Sequence, residues 1–139
     1  MKKVLVSACL LGQACRYDGG DCRNAKVLAY LQDKKAIEIC PEQLGGFGTP
    51  RLAAEIKDDL VIDINGKDVT SEFMRGAQAA LAVAQANGCK LAILKNESPS
   101  CGKGRIFDGT FRGRLTEGSG VTASLLQENG IEVLTEDEI

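Results

Sequence analysis

The sequence predicts an α/β fold: a single domain over residues 1–139, with a mostly parallel sheet between two layers of helices in a three-layer, Rossmann-like arrangement. Two observations lead to this prediction. Short apolar segments rich in β-branched residues alternate with longer segments in which apolar residues recur every three or four positions. An apolar content of 44% in 139 residues is enough for one sizeable core, and no repeat or linker divides the chain.

The chain begins with a predicted strand, loop, helix and second strand. Residues 3–8 are an apolar run typical of a buried strand, and the polar, glycine-rich residues 12–22 are expected to form a loop. Asn24 is suited to cap a helix, which carries an apolar stripe of Val27, Leu28 and Leu31 and runs to about Lys34. Residues 36–39 form the second predicted strand. A helix between two strands is the usual connection between parallel neighbours.

The rest of the chain continues this alternation. The further predicted strands are short and apolar, and they lie at residues 60–64, 91–94 and 131–134. The further helices are followed by glycine, and they lie at residues 73–86, with Thr70 or Ser71 as the cap, and at residues 121–129. Glycines and prolines predict a loop at residues 42–51, and an Asp-Gly pair predicts a small hairpin at residues 105–114.

Charge and hydropathy limit the kinds of partner. Seventeen basic residues stand against nineteen acidic ones, without a block of like charge that would grip nucleic acid or anionic lipid. No stretch approaches the roughly 20 apolar residues of a membrane helix, and the apolar run near the N-terminus is short for a signal peptide. We therefore expect a cytoplasmic protein that binds a small molecule, with neither nucleic acid nor a membrane as its partner.

The absence of histidine narrows the possible chemistry. Catalysis by Ser-His-Asp or Cys-His groups is excluded, as are zinc sites that need histidine and iron sites with two histidines and a carboxylate. The chain has six cysteines, and a cytoplasmic protein with its own core does not need them as disulfides. Metal binding or redox chemistry is the better expectation.

Three of the cysteines lie where parallel strands end. Cys9 follows the first predicted strand, Cys40 follows the second, and Cys101 lies in the loop after the strand at residues 91–94. Ligands of open α/β sheets bind at this edge, so the three thiols should converge there. No C-x-x-C pair of the kind used by zinc ribbons occurs. Cys15 and Cys22 could be further ligands, a redox pair or neither.

Further residues form motifs around these cysteines, in order from near the start of the chain to Gly102. They are Val6-Ser7-Ala8-Cys9-Leu10-Leu11-Gly12 with Arg16-Tyr17-Asp18-Gly19, Cys40-Pro41-Glu42 with Gly45-Gly46, Pro50-Arg51 and Ala54-Glu55, and Ser98-Pro99-Ser100-Cys101-Gly102. With these motifs the chain resembles a bacterial family catalogued as a domain of unknown function, which includes [4Fe-4S]-dependent thiouracil desulfidases.

The resemblance implies a [4Fe-4S] cluster held by Cys9, Cys40 and Cys101. Three thiolates on such a cluster leave one iron without a protein ligand, and an open metal position can bind substrate. The implied activity is the removal of sulfur from a small thiolated compound such as 2-thiouracil, with release of hydrosulfide and no net redox change.

Six side chains are candidates for catalysis or substrate binding. Glu42, in the Cys-Pro-Glu motif, is the candidate acid and base. Ser98 and Ser100 are candidate hydrogen-bond partners of substrate or cluster. The candidates for substrate binding are Arg16, Tyr17 and Arg51, through guanidinium donors and ring stacking. Two other kinds of protein remain possible: a non-catalytic iron-sulfur or zinc module, and a thiol–disulfide redox protein.

Overall fold

The computed structural model describes all 139 residues and contains eight strands and four α-helices. In chain order the strands are β1 (Lys3–Ser7), β2 (Lys35–Ile39), β3 (Ala54–Lys57), β4 (Leu60–Asp63), β5 (Leu91–Leu94), β6 (Arg105–Phe107), β7 (Leu115–Glu117) and β8 (Glu132–Thr135). The helices are α1 (Ala25–Tyr30), α2 (Pro41–Leu44), α3 (Thr70–Ala86) and α4 (Val121–Glu128), with 3₁₀ turns at Ala8–Leu11 and Glu136–Glu138.

A four-stranded parallel sheet forms the centre of the fold, in the order β2-β1-β5-β8. Strand β5 is buried at all four of its positions, because it lies inside the sheet and both sheet faces are covered. This arrangement confirms the predicted α/β class with its parallel sheet and flanking helices. No helix combines the length and the apolar character needed to cross a membrane.

Helices cover the two faces because successive side chains of a strand point in opposite directions. One face packs against α3 and α4, in a core that includes Leu5, Ala80, Ala84, Ala92, Leu94 and Leu126. The other face packs against α1 and the 3₁₀ turn after β1, in a core that includes Val4, Val6, Leu10, Val27, Leu31 and Ile93. Alanines on α3 allow that helix to lie close to the sheet.

The predicted strand at residues 60–64 exists as β4, but it lies outside the parallel sheet. It pairs antiparallel with β3, which the sequence did not predict. Asp58 and Asp59 connect the two strands, and both have positive φ values, of 50° and 65°. A two-residue loop in this left-handed conformation matches the twist of a hairpin. The predicted hairpin at residues 105–114 is also present, with β6 and β7 as its strands.

Helix α2 interrupts the loop predicted at residues 42–51. Pro41 occupies its first turn, where a missing N–H costs nothing. The helix lies directly on α3: a Cβ atom at Gly45 would come within 2.2 Å of the Glu72 carbonyl oxygen, and one at Gly76 within 1.9 Å of the Pro41 carbonyl oxygen. Only glycine permits this approach, and it fixes where Glu42 stands relative to the sheet.

Candidate active site

A cavity of about 430 Å³ lies at the carboxyl ends of β1, β2 and β5. Its size is in the range of small-molecule sites. Four of the six cysteines line it: Cys9, Cys15, Cys40 and Cys101. The structure thus brings together the three cysteines that the sequence placed at the strand ends, and it adds Cys15.

Cys9 lies in the 3₁₀ turn that directly follows β1, and it is buried. Its carbonyl oxygen accepts hydrogen bonds from the N–H groups of Gly12, at 3.2 Å, and Cys22, at 2.9 Å. These bonds fold the loop of residues 12–22 back over the end of the strand. This loop conformation brings Cys15 into the same cavity, whereas Cys22 does not line the cavity.

Cys40 is the last residue before α2, and its Sγ donates a hydrogen bond to the Cys15 carbonyl oxygen at 3.7 Å. Contact with the Cys15 thiol, together with burial, raises the pKa of Cys40 above its ordinary value. The contact with Cys40 lowers the pKa of Cys15, but the contact with Cys9 and burial outweigh it and raise that pKa to about 11. Thiols held protonated in this way become thiolates when a metal displaces the proton.

Cys101 lies in the connection after β5, with its side chain only 6% exposed. Burial raises the pKa of this thiol to about 12. The carbonyl groups of its loop cap the start of α4: the N–H groups of Gly120, Val121 and Thr122 donate to the carbonyl oxygens of Gly102, Pro99 and Ser100 at 2.7, 2.9 and 2.8 Å. The loop therefore satisfies N–H groups that a helix start leaves without partners.

Glu42 projects from α2 into the cavity and forms an ion pair with Arg51, with 3.0 Å between Oε1 and Nε. Its Oε2 has no hydrogen-bond partner within the protein. Arg51 also donates to the Cys15 carbonyl oxygen at 2.8 Å, the Thr49 Oγ1 at 3.0 Å and the Gly48 carbonyl oxygen at 3.2 Å. One carboxylate oxygen is thus held in place, while the other remains available.

Arg51 was predicted to bind substrate, and its contacts favour a different role. Its side chain is 7% exposed, and four of its five N–H donors already bond to the protein. Arg51 therefore joins the loop after β1 to α2 and orients Glu42.

We expect Arg51→Met to lower the free energy of unfolding of the metal-free protein by about 3 kcal/mol, because it leaves a largely buried Glu42 without its partner. Denaturant unfolding measures this effect. The matched control is Arg16→Met, because Arg16 is 37% exposed and lies 3.8 Å from Asp18. It should cost less than about 1 kcal/mol. Equal losses in the two variants would contradict the assigned role.

The two candidate serines have different surroundings. Ser98 lines the cavity, and its Oγ accepts the N–H groups of Ser100 at 3.1 Å and Cys101 at 2.8 Å. The Ser98 hydroxyl hydrogen is not used in these two bonds, so it can be donated to another group. Ser100 is 1% exposed, does not line the cavity, and has its Oγ 2.9 Å from the Thr122 Oγ1. Of the two roles predicted for Ser100, this position beside Cys101 favours hydrogen bonding on the side of the cluster over direct contact with substrate.

Arg16 and Tyr17 line the cavity where it meets solvent. The Arg16 guanidinium carbon lies 5.9 Å from the centre of the Tyr17 ring, and both side chains are more than one-third exposed. Neither side chain is committed to the core. Both predicted substrate-binding residues therefore remain free to meet a ligand.

Several residues that line the cavity were not predicted from the sequence. They are Lys95, Asn96, Glu97, Phe107 and Phe111. The Glu55 carboxylate accepts the N–H groups of Gly109 at 3.0 Å and Phe111 at 3.1 Å, so it holds the second hairpin against the first. The Lys-Asn pair directly after the strand at residues 91–94 was a usable signal, because it also lies at the ligand-binding edge of the sheet.

The thiols around the cavity are suitable ligands for an iron-sulfur cluster. Cysteine sulfur is the soft ligand that such clusters use, and three separate segments of the chain supply it here. No three Cys, Asp or Glu side chains of the chain meet at the spacing that holds a single metal ion. The Ser7 hydroxyl and the N–H groups of the tight loops add polar hydrogens at the same edge.

Comparison with known proteins gives agreeing results. The uncharacterized protein YbbK of Bacillus subtilis (strain 168) is 44% identical over 146 residues, which cover 98% of this chain and 97% of that protein. The solved structure of the [4Fe-4S]-dependent thiouracil desulfidase TudS matches with a TM-score of 0.94 and 45% identity, over 100% of this chain and 93% of that one. The family model described as 2-thiouracil desulfurase matches residues 4–138. This chain therefore belongs to the 2-thiouracil desulfurase family.

Proposed function

We propose that this protein is a desulfidase that removes sulfur from a small thiolated compound such as 2-thiouracil, using a [4Fe-4S] cluster held by Cys9, Cys40 and Cys101. The observation that carries the proposal is the meeting of these three thiols with Glu42 around one cavity. The family and the similarity to TudS support the desulfidase activity. All the proposed site residues lie in one domain spanning residues 1–139.

When bound, the cluster supplies an iron without a cysteine ligand, which can take the soft thiocarbonyl sulfur and polarise the C=S bond. Glu42 then acts as the base: its free Oε2 takes a proton from a water molecule that attacks the thiocarbonyl carbon. Glu42 returns this proton to the sulfur as the C–S bond breaks, so that the sulfur leaves as hydrosulfide. The second proton of the water leaves the new hydroxyl group by way of Glu42 to solvent, and the oxygen stays on the carbon as a carbonyl. No electron is gained or lost overall.

Arg16, Tyr17 and Ser98 are the residues that we propose for substrate binding. The Tyr17 ring can stack on a flat heterocycle, and the adjacent Arg16 can donate to its remaining carbonyl oxygen. The Ser98 hydroxyl can donate from the wall beside Cys101, because its oxygen already accepts two N–H groups. Together they would orient the ring with its thiocarbonyl group toward the cysteines.

The cytoplasm is the proposed location. All six cysteines are free, and the three proposed ligands must stay reduced to bind iron. The thiol-reducing systems of the cytoplasm maintain that state, whereas secreted proteins tend to form disulfides.

The direct test is to purify the protein without oxygen, reconstitute it with iron and sulfide, and incubate it with 2-thiouracil. We expect about four irons per chain, and the uracil and hydrosulfide formed should appear in equal amounts. Hydrosulfide release that requires an added reductant would overturn the non-redox mechanism. A reconstituted protein that releases no sulfide from any thiopyrimidine would overturn the proposed substrate class.

The contacts of Cys15 favour a thiol–disulfide redox protein as the second candidate. Its thiol is within hydrogen-bonding reach of those of both Cys9 and Cys40, and disulfide exchange needs thiols that are neighbours in this way. Such a protein would be active while colourless and free of metal. The same purified sample therefore separates the two functions.

A further inference from the structure

The side chain of Ser7 lies against that of Cys101 in the lining of the cavity. Ser7 is the last residue of β1 and is 3% exposed, and its Oγ is 3.5 Å from the Cys101 Sγ. Its backbone is opposite Ile39 in the sheet, one residue before Cys40. Ser7 is thus fixed between the segments that carry two of the proposed ligands.

The direction of this hydrogen bond follows from the other contact of Ser7. The backbone N–H of Lys95 donates to the Ser7 Oγ at 3.0 Å. A hydroxyl has one hydrogen and two lone pairs, so an oxygen that accepts from Lys95 still has its own hydrogen to donate. The nearby acceptor is the Cys101 sulfur, which becomes a strong acceptor as a thiolate. The backbone after β5 therefore orients the Ser7 donor toward the sulfur.

Building on the proposed function, we infer that Ser7 is a positioning residue whose hydroxyl donates to the ligand sulfur of Cys101 and so tunes the bound cluster. A hydrogen bond draws negative charge from a ligating thiolate, and the potentials of iron-sulfur clusters respond to such bonds. With less charge donated by its ligands, the iron should accept a thiocarbonyl sulfur more readily. With only 3% of its surface exposed, Ser7 would act through the Cys101 sulfur.

The test compares cluster potentials among variants that keep or remove the hydroxyl. Ser7→Ala removes the hydroxyl. Ser7→Thr and Ser7→Val have nearly the same shape, but valine has a methyl group where threonine has the hydroxyl. Each variant is reconstituted without oxygen, its iron and sulfide are counted, and its midpoint potential is titrated by electron paramagnetic resonance. We expect a more negative potential in Ser7→Ala than in the wild type, and in Ser7→Val than in Ser7→Thr.

Ser119→Ala is the control for a general effect of removing a serine hydroxyl. The Ser119 Oγ also accepts a backbone N–H, from Gly104 at 3.2 Å, but it lies outside the cavity lining. The midpoint potential of the cluster in Ser119→Ala should equal that of the wild type. If the alanine variant does not retain iron, the threonine and valine pair decides by itself, and iron kept by threonine but lost by valine supports the role.

Two results would overturn the inference while the proposed function stands. One is a wild-type potential in both Ser7→Ala and Ser7→Val, and the other is loss of iron in all three variants, which would indicate packing and not hydrogen bonding. A wild-type protein that binds no cluster at all would instead overturn the proposed function, and this inference with it.

Discussion

Replacing any one of Cys9, Cys40 or Cys101 by alanine is expected to abolish both bound iron and sulfide release from 2-thiouracil. Each of these thiols comes from a different strand end, and the two that remain in each variant should not be enough to hold the cluster. Iron and acid-labile sulfide per chain measure binding, and released hydrosulfide measures turnover. Activity should fall to the level of a blank reaction in all three variants.

The matched control for these variants is Cys89→Ala. Cys89 is buried in the core between the sheet and α3 and does not line the cavity, so its loss removes a thiol without touching the site. This variant should bind iron as the wild type does, at some cost in thermal stability. Full iron in any of the three site variants would show that its cysteine is not a ligand, and Cys15 would then be the first replacement to test.

Replacing Glu42 by glutamine is expected to lower kcat for desulfuration by about 10²- to 10⁴-fold, the usual contribution of a general acid or base. Glutamine nearly preserves the shape of the side chain, and its amide oxygen can still accept the hydrogen bond from Arg51. It cannot take a proton from water at neutral pH. Iron content should stay at the wild-type value, so the loss would lie in the reaction and not in cluster binding.

Glu38→Gln is the control for the change of charge. Glu38 is exposed on the edge strand β2, two residues before Cys40 and outside the cavity lining. The kcat of the Glu38→Gln variant should match that of the wild type. Unchanged turnover in Glu42→Gln would show that Glu42 is not the base. A loss of iron would instead show that Glu42 is needed to form the cluster-binding site.

The sequence predicted the sheet and its cysteines because both depend on local patterns. Apolar runs mark β1, β2 and β5, and parallel strands must bring their carboxyl ends to one edge. Asn24 illustrates the same point for helices, since its side chain accepts the N–H groups of Lys26 at 3.0 Å and Val27 at 3.1 Å, as expected of a cap.

Features that depend on distant neighbours could not be predicted in this way. Strand β3 contains one β-branched residue in four, and it is a strand because β4 lies beside it. Arg51 in a loop is as compatible with binding a substrate as with binding Glu42, and only the folded chain decides between them. Ser98 and Ser100 are equally plausible by type, yet the turn between them directs one to the cavity and the other to Thr122.

The spread of the three proposed ligands over the ends of β1, β2 and β5 has a consequence for how the protein matures. In a zinc knuckle, two ligands a few residues apart are already neighbours in the unfolded chain, and the metal can drive folding. Here Cys9 and Cys101 are separated by most of the sequence and meet only after the parallel sheet has formed. Insertion of the proposed cluster would then follow folding, so an iron-starved cell would accumulate a folded, vacant protein that can be loaded when iron returns.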